Sequence, residues 1–98
     1  MIKHIVFWKI GPSADKSKEE NIAHVEAMLN ALPAVIPQIK LFEVGVNSCA
    51  ELTAFDLSLY SQFESAEEME QYKVHPDHVA VAEFIKSVVT ERAVVDYV

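Results

Sequence analysis

Apolar residues occupy both parities of the opening stretch Ile2–Ile10. His4, Val6, Trp8 and Ile10 fall on one face of an extended chain, and Ile5 and Phe7 on the other. The pattern predicts a strand covered on both sides. Gly11-Pro12-Ser13 stops it, and Ser17-Lys18-Glu19-Glu20 has the form of a capping box opening a helix. The apolar stripe Ile22, Val25, Met28, Leu29 and Leu32 keeps helical spacing until Pro33 and Pro37 end it. A second strand is predicted from Gln38 to Val46. The change of apolar parity between Leu41 and Phe42 suggests a bulge in which Gly45 shares. After a polar loop through Asn47 and Glu51, Phe55, Leu57, Leu59, Ser61 and Phe63 alternate with Asp56, Ser58, Tyr60 and Gln62, the cleanest strand pattern in the chain.

Ser65-Ala66-Glu67-Glu68 reads as a second capping box, opening a helix with Ala66, Met69 and Tyr72 on one face. Pro76 suits the first position of a helix, so the chain is expected to break near Val74 and His75 and to restart. The renewed helix presents Val79, Ala82, Phe84, Ile85 and Val88 inward, and Glu91–Val98 returns to strand character. The order βαββαβ, without linker or repeat, predicts one α+β domain over residues 1–98. Its expected form is ferredoxin-like: a four-stranded antiparallel sheet with helices on one face. The other sheet face would then carry Ile5, Phe7 and apolar neighbours on the last strand. A second copy packing sheet against sheet is the expected cover, which makes the protein a homodimer.

Composition sharpens this picture. Hydrophobic residues are 51% of the chain, yet no apolar run is long enough to span a bilayer, so the excess belongs in a core or an interface. The start Met1-Ile2-Lys3-His4 lacks the layout of a signal peptide. With that and one cysteine, Cys49, in a loop away from any base, a cytoplasmic protein without disulfides is expected. Residues 1–50 balance five acids with five bases, whereas residues 51–98 hold ten acids and three bases, the whole excess of −7. Without clustered Lys and Arg, neither nucleic acid nor an anionic membrane is an expected partner. The acidic run Glu64, Glu67, Glu68, Glu70 reads as a solvated helix start.

Candidate chemistry concentrates in Tyr72-Lys73-Val74-His75-Pro76-Asp77-His78. His78 falls in the opening turn of a helix, where the dipole disfavours imidazolium. A neutral ring able to accept a proton at pH 7 is expected there, with Tyr72 facing it from the turn before the break. A His-Pro pair at a helix start also serves simply as a cap. His75 and His78 lack further ligands to complete a metal shell, and only Gly11 and Gly45 are available for a phosphate loop, so no metal and no cofactor are expected.

The opening Ile2–Lys9, the Phe63-Glu64-Ser65 junction, the Tyr72…His75-Pro76-Asp77-His78 segment and the closing Val94-Val95-Asp96-Tyr97 together resemble the stress-responsive A/B barrel (Dabb) family along essentially the whole chain. The resemblance implies a dimeric α/β barrel whose members mostly have no known reaction. The expected role is therefore an unassigned one, binding a small apolar or amphipathic molecule between sheet and helices. The family's plant polyketide cyclase that forms olivetolic acid is similar in the Tyr-x-x-His-Pro-x-His segment. That similarity implies, as an alternative, a cofactor-independent cyclase or lyase with His78 as base and Tyr72 as its partner. A cofactor-free monooxygenase, on the same broader architecture, is a further alternative. The resemblance places His4, Val6, Trp8, Leu59, Ser61, His75, Val89, Arg92 and Val94 around the ligand pocket. His4 is equally expected as a hydrogen-bonded residue at a strand start. For Arg92 the favoured expectation is an outward side chain paired with Glu91 or Asp96, because a buried unpaired charge is costly.

Overall fold

The structure is a computed structural model and describes residues 1–98. Strand β1 (Ile2–Ile10) leads into helix α1 (Lys18–Asn30), a 3-10 turn at Leu32–Ala34, and strands β2 (Leu41–Val46) and β3 (Leu57–Phe63). Helices α2 (Ala66–Val74) and α3 (Pro76–Val88) follow, then strand β4 (Val89–Tyr97). The strands form one antiparallel sheet in the order β2-β3-β1-β4, the ferredoxin-like arrangement with the helical segment broken in two.

The local causes are visible at each boundary. Ser17 Oγ accepts from the Glu20 N–H at 3.1 Å, and Glu20 Oε1 accepts from the Ser17 N–H at 2.9 Å, so the first capping box is complete. At α2 only half a box forms: Ser65 Oγ accepts from the Glu68 N–H at 3.2 Å, and the Glu68 carboxylate makes no return bond. His75 is extended (φ −61°, ψ 135°), as a residue before proline prefers, and so ends α2 and caps α3 together. Its Nδ1 accepts from the Asp77 N–H at 3.1 Å.

Several elements differ from the sequence expectation. Pro37 removes a ladder donor and the Ile39 N–H turns back to Ile36 O, so β2 begins at Leu41 rather than Gln38. No bulge follows, because β2 pairs with β3 in continuous register and Gly45 sits regularly opposite Ser58. The parity change at Leu41 and Phe42 instead reflects an apolar residue, Leu41, on the outer face. The bulge lies between β1 and β4, where Lys9 pairs with Glu91 and Ile10 with Val89, leaving Thr90 over. Phe55 precedes β3 and packs against Phe7 at 6.0 Å between ring centroids. In α3 Ile85 and Val88 are buried as expected, but the third buried residue is Val81, while Val79 and Ala82 are exposed. Ala66 is likewise exposed.

The core sits between the helices and the sheet face carrying Val6, Trp8 and Ile10 of β1 with Leu57, Leu59 and Phe63 of β3. Asn21, fully buried, donates through Nδ2 to Gly11 O at 2.9 Å and to Ser13 Oγ at 3.3 Å, tying α1 to the β1 exit. The outer sheet face has no helix over it, and Phe7 and Val95 are 38% and 56% exposed there. No helix is long and apolar enough to cross a membrane.

Candidate functional site

Where α3 runs over the sheet, a cavity of about 290 Å³ opens beside the core. Its floor is His4, Val6 and Trp8 of β1 with Leu59 of β3, its roof comes mainly from α3, and no acidic side chain lines it. Two aromatic polar groups meet inside. Tyr72 on the last turns of α2 is 1% exposed, packed against Phe63 at 4.8 Å and His78 at 4.4 Å between ring centroids. Burial alone pushes its phenol above the ordinary range, and its hydroxyl has no hydrogen-bond partner within the chain.

The helix break orients His78. Because Pro76 interrupts the ladder and the Asp77 N–H is taken by His75, the carbonyl of Lys73 is left free, and His78 Nδ1 lies 2.9 Å from it. A carbonyl only accepts, so Nδ1 carries the hydrogen and Nε2 of the neutral ring keeps a lone pair. Desolvation lowers the His78 pKa below its usual value, helped by the positive charges of Lys73 and Arg92 and opposed by the Lys73 carbonyl. Burial, more than the helix dipole expected from the sequence, is thus what keeps this ring neutral.

His4 lies across the cavity, buried, with its Nδ1 hydrogen-bonded to the carboxylate of Asp96 on β4. Asp96 thereby fixes the ring of a cavity histidine and leaves Nε2 as its second nitrogen.

Arg92 departs from the expected outward pairing. Glu91 lies on the outer face 3.8 Å from Lys9, and Asp96 is held by His4, so neither acid is left for the guanidinium. Arg92 lines the cavity instead. The bulge at Thr90 makes this possible. In a regular strand residues 89 and 92 point to opposite faces, but the extra residue re-phases β4 so that Val89, paired with Ile10, and Arg92, paired with Trp8, share the inner face.

Of the residues expected around the pocket, the cavity brings together His4, Val6, Trp8, Leu59, Val89 and Arg92, along with Tyr72 and His78. Ser61, His75 and Val94 lie outside its lining. Ser61 is buried and its Oγ donates to His4 O at 3.2 Å. His75 serves as the cap of α3. Val94 is on the inner face but 45% exposed, because the helices do not reach that far over the edge strand. Leu29, Val81, Ala82, Ile85 and Lys86 also line the cavity and were not anticipated. The available signal was the spacing i, i+4, i+8 from His78 to Ala82 and Lys86, one stripe of α3. His75 Nδ1 and Asp77 lie 3.8 Å apart, and no group of three His, Cys, Asp or Glu side chains is placed to hold a metal ion.

The sequence model of the family described as the stress responsive A/B barrel domain matches residues 2–98. The chain is 35% identical over 81 residues to a stress-response A/B barrel domain-containing protein of Arabidopsis thaliana. That match covers 83% of this chain and 30% of that protein, so the chain spans less than a third of this relative's length. A dimeric protein of unknown function and ferredoxin-like fold from Bacteroides fragilis is 33% identical, with a TM-score of 0.81 over 98% of this chain and 93% of that one. A dimeric ferredoxin-like protein of unknown function from Thermobifida fusca is 24% identical and has the same fold, with a TM-score of 0.83 over 98% of this chain and 88% of that one.

Proposed function

The chain belongs to the stress responsive A/B barrel domain family, and from that premise we propose that it is a homodimeric barrel holding a small apolar or amphipathic molecule in the cavity between its sheet and helices. The observation that carries this reading is the Tyr72 hydroxyl. It is desolvated, has no partner in the chain, and sits in a cavity lined mostly by apolar side chains. The hydroxyl opens onto the cavity rather than being sealed in the core, and a ligand oxygen or nitrogen there would supply the partner that the chain does not. The uncovered outer face with Phe7 and Val95 supports sheet-to-sheet dimerisation, the assembly state stated for the two solved relatives. Its single exposed thiol, Cys49, fits a reducing compartment, and we assign it to the cytoplasm. Native mass spectrometry of the purified dimer, before and after denaturation, tests the binding role. A retained small molecule that Tyr72→Phe no longer retains is expected, and equal retention by both proteins would overturn the reading.

A second reading is supported by the tautomer of His78. With Nδ1–H on the Lys73 carbonyl and burial opposing protonation, Nε2 is a fixed lone pair on a ring packed against the Tyr72 phenol. That pair can remove a proton from carbon next to a carbonyl while the phenol donates to the oxygen that gains charge. Such chemistry is that of a cofactor-independent cyclase or lyase. His78→Ala should then keep affinity for the retained molecule within a few-fold while turnover falls by roughly 10²–10⁴. Unchanged turnover, or none in the wild type, would leave binding alone.

A further inference from the structure

Only two full positive charges approach the cavity, and both are free. Lys86 comes from the last turn of α3 and Arg92 from β4, and neither makes a salt bridge. No acidic side chain lines the cavity to balance them. The two acids that share β4 with Arg92 are engaged elsewhere, Glu91 by Lys9 on the far side of the sheet and Asp96 by His4. The cations are themselves exposed, while Trp8, Leu59 and Tyr72 behind them are buried. The cavity therefore has an apolar interior and a cationic rim.

Building on the cavity-binding role proposed above, we infer that the ligand is an amphipathic anion, with a carboxylate or comparable oxyanion seated at Lys86 and Arg92 and an apolar body reaching inward over Val6, Trp8 and Leu59. A planar guanidinium presents paired donors to a carboxylate, and the lysine adds a second, mobile charge. Size narrows the class. At about 30 Å³ per water in the liquid, a cavity of about 290 Å³ equals roughly ten waters, room for a medium-chain or single-ring acid rather than a long-chain lipid.

Trp8 is the only tryptophan and lines the cavity, so its emission reports occupancy directly. The dimer is titrated with sodium octanoate, 1-octanol and octylammonium chloride at equal ionic strength. Octanoate is expected to bind at least about tenfold more tightly than 1-octanol, and octylammonium more weakly than either. The preference should shrink as salt is raised. In the double variant Lys86→Gln, Arg92→Gln, octanoate should fall to within about twofold of octanol, because the charges that distinguish the two probes are gone. Both substituted positions are exposed, so the fold is kept, and circular dichroism verifies it. If octanol and octanoate bind equally, or if the double variant keeps the preference, the anion assignment is overturned while cavity binding stands. If no probe changes the Trp8 emission, cavity binding fails and the assignment falls with it.

Discussion

Replacing Tyr72 by phenylalanine should leave the protein as stable as before or slightly more so, which is the reverse of the usual result for a buried tyrosine. The ring is enclosed by Phe63, His78 and, at 6.2 Å edge-on, Phe42, and phenylalanine keeps all of that packing. The substitution removes only the hydroxyl. Where a tyrosine hydroxyl is hydrogen-bonded, its loss costs about 0.5–1.5 kcal/mol. Here the hydroxyl is desolvated without a partner in the chain, so its removal relieves part of a penalty of about 1–3 kcal/mol. Access of water to the cavity offsets some of that penalty in the native protein, and the expected gain is between zero and about 1 kcal/mol. For a domain of this size, 1 kcal/mol corresponds to about 4–8 °C in Tm. Tyr72→Ala, by contrast, opens a void and should cost about 3–5 kcal/mol. The assay is urea unfolding followed by Trp8 emission, at one fixed protomer concentration because dimerisation adds to apparent stability. A loss of 1 kcal/mol or more in Tyr72→Phe would show that the hydroxyl has a structural partner, and it would refute the argument that the group is kept for a ligand.

Phe7→Glu should abolish the dimer, since it sets a carboxylate in the apolar outer face that the proposed dimer buries and costs several kcal/mol of a total stability of roughly 5–15 kcal/mol; a well-folded dimer of this variant in sedimentation would refute the sheet-to-sheet interface. Because folding holds His78 neutral, an unfolded chain takes up a proton below its usual value of 6.5 that the folded chain resists. Stability should therefore be flat above that pH and fall as pH drops below it. His78→Gln should have a shallower decline, and equal slopes in pH-dependent urea titrations would count against burial as the cause. Asn21→Ala should cost about 1–3 kcal/mol, because the carbonyl of Gly11 loses its side-chain donor. Hydrogen exchange should quicken first around residues 11–16, and uniform change would show that the tie is not local.

The strands with a strict alternation were legible from the sequence, as Leu57–Phe63 shows, because a half-buried strand must alternate to keep its dry face dry. So was the break at His75-Pro76, where a missing N–H and a steric clash act regardless of tertiary context. The phase of α3 was not. Val79, Ala80, Val81 and Ala82 are all small and apolar, and only the seating of the helix on the sheet selects Val81 as the buried one. The bulge at Thr90 has no local signal either, since Val89 through Arg92 would be acceptable in a regular strand. It is set by the close approach of Gly11, whose N–H bonds Val88 O at 2.8 Å. At the site, Tyr72, His78 and the inner face of β1 could be named from residue types and parity. The His4–Asp96 pair and the freedom of Arg92 depend on the β1–β4 register, which pairs the first strand with the last and has no short-range signature.

That long-range pairing also governs when the site comes into being. His4 and Asp96 are 92 positions apart, and β1, the first of the four strands to be synthesised, lies between β3 and β4, the last two. Contacts so distant in sequence are slow to close. While the ribosome is still adding residues, β1 can gain β3 on one edge, but its other edge waits for β4. Translation must pass Arg92 before the cavity has its full wall on that side, so a polypeptide stopped just short of Arg92 can pair its first three strands and still lack that wall. Emergence of β4 and acquisition of the site are, in this protein, nearly the same event.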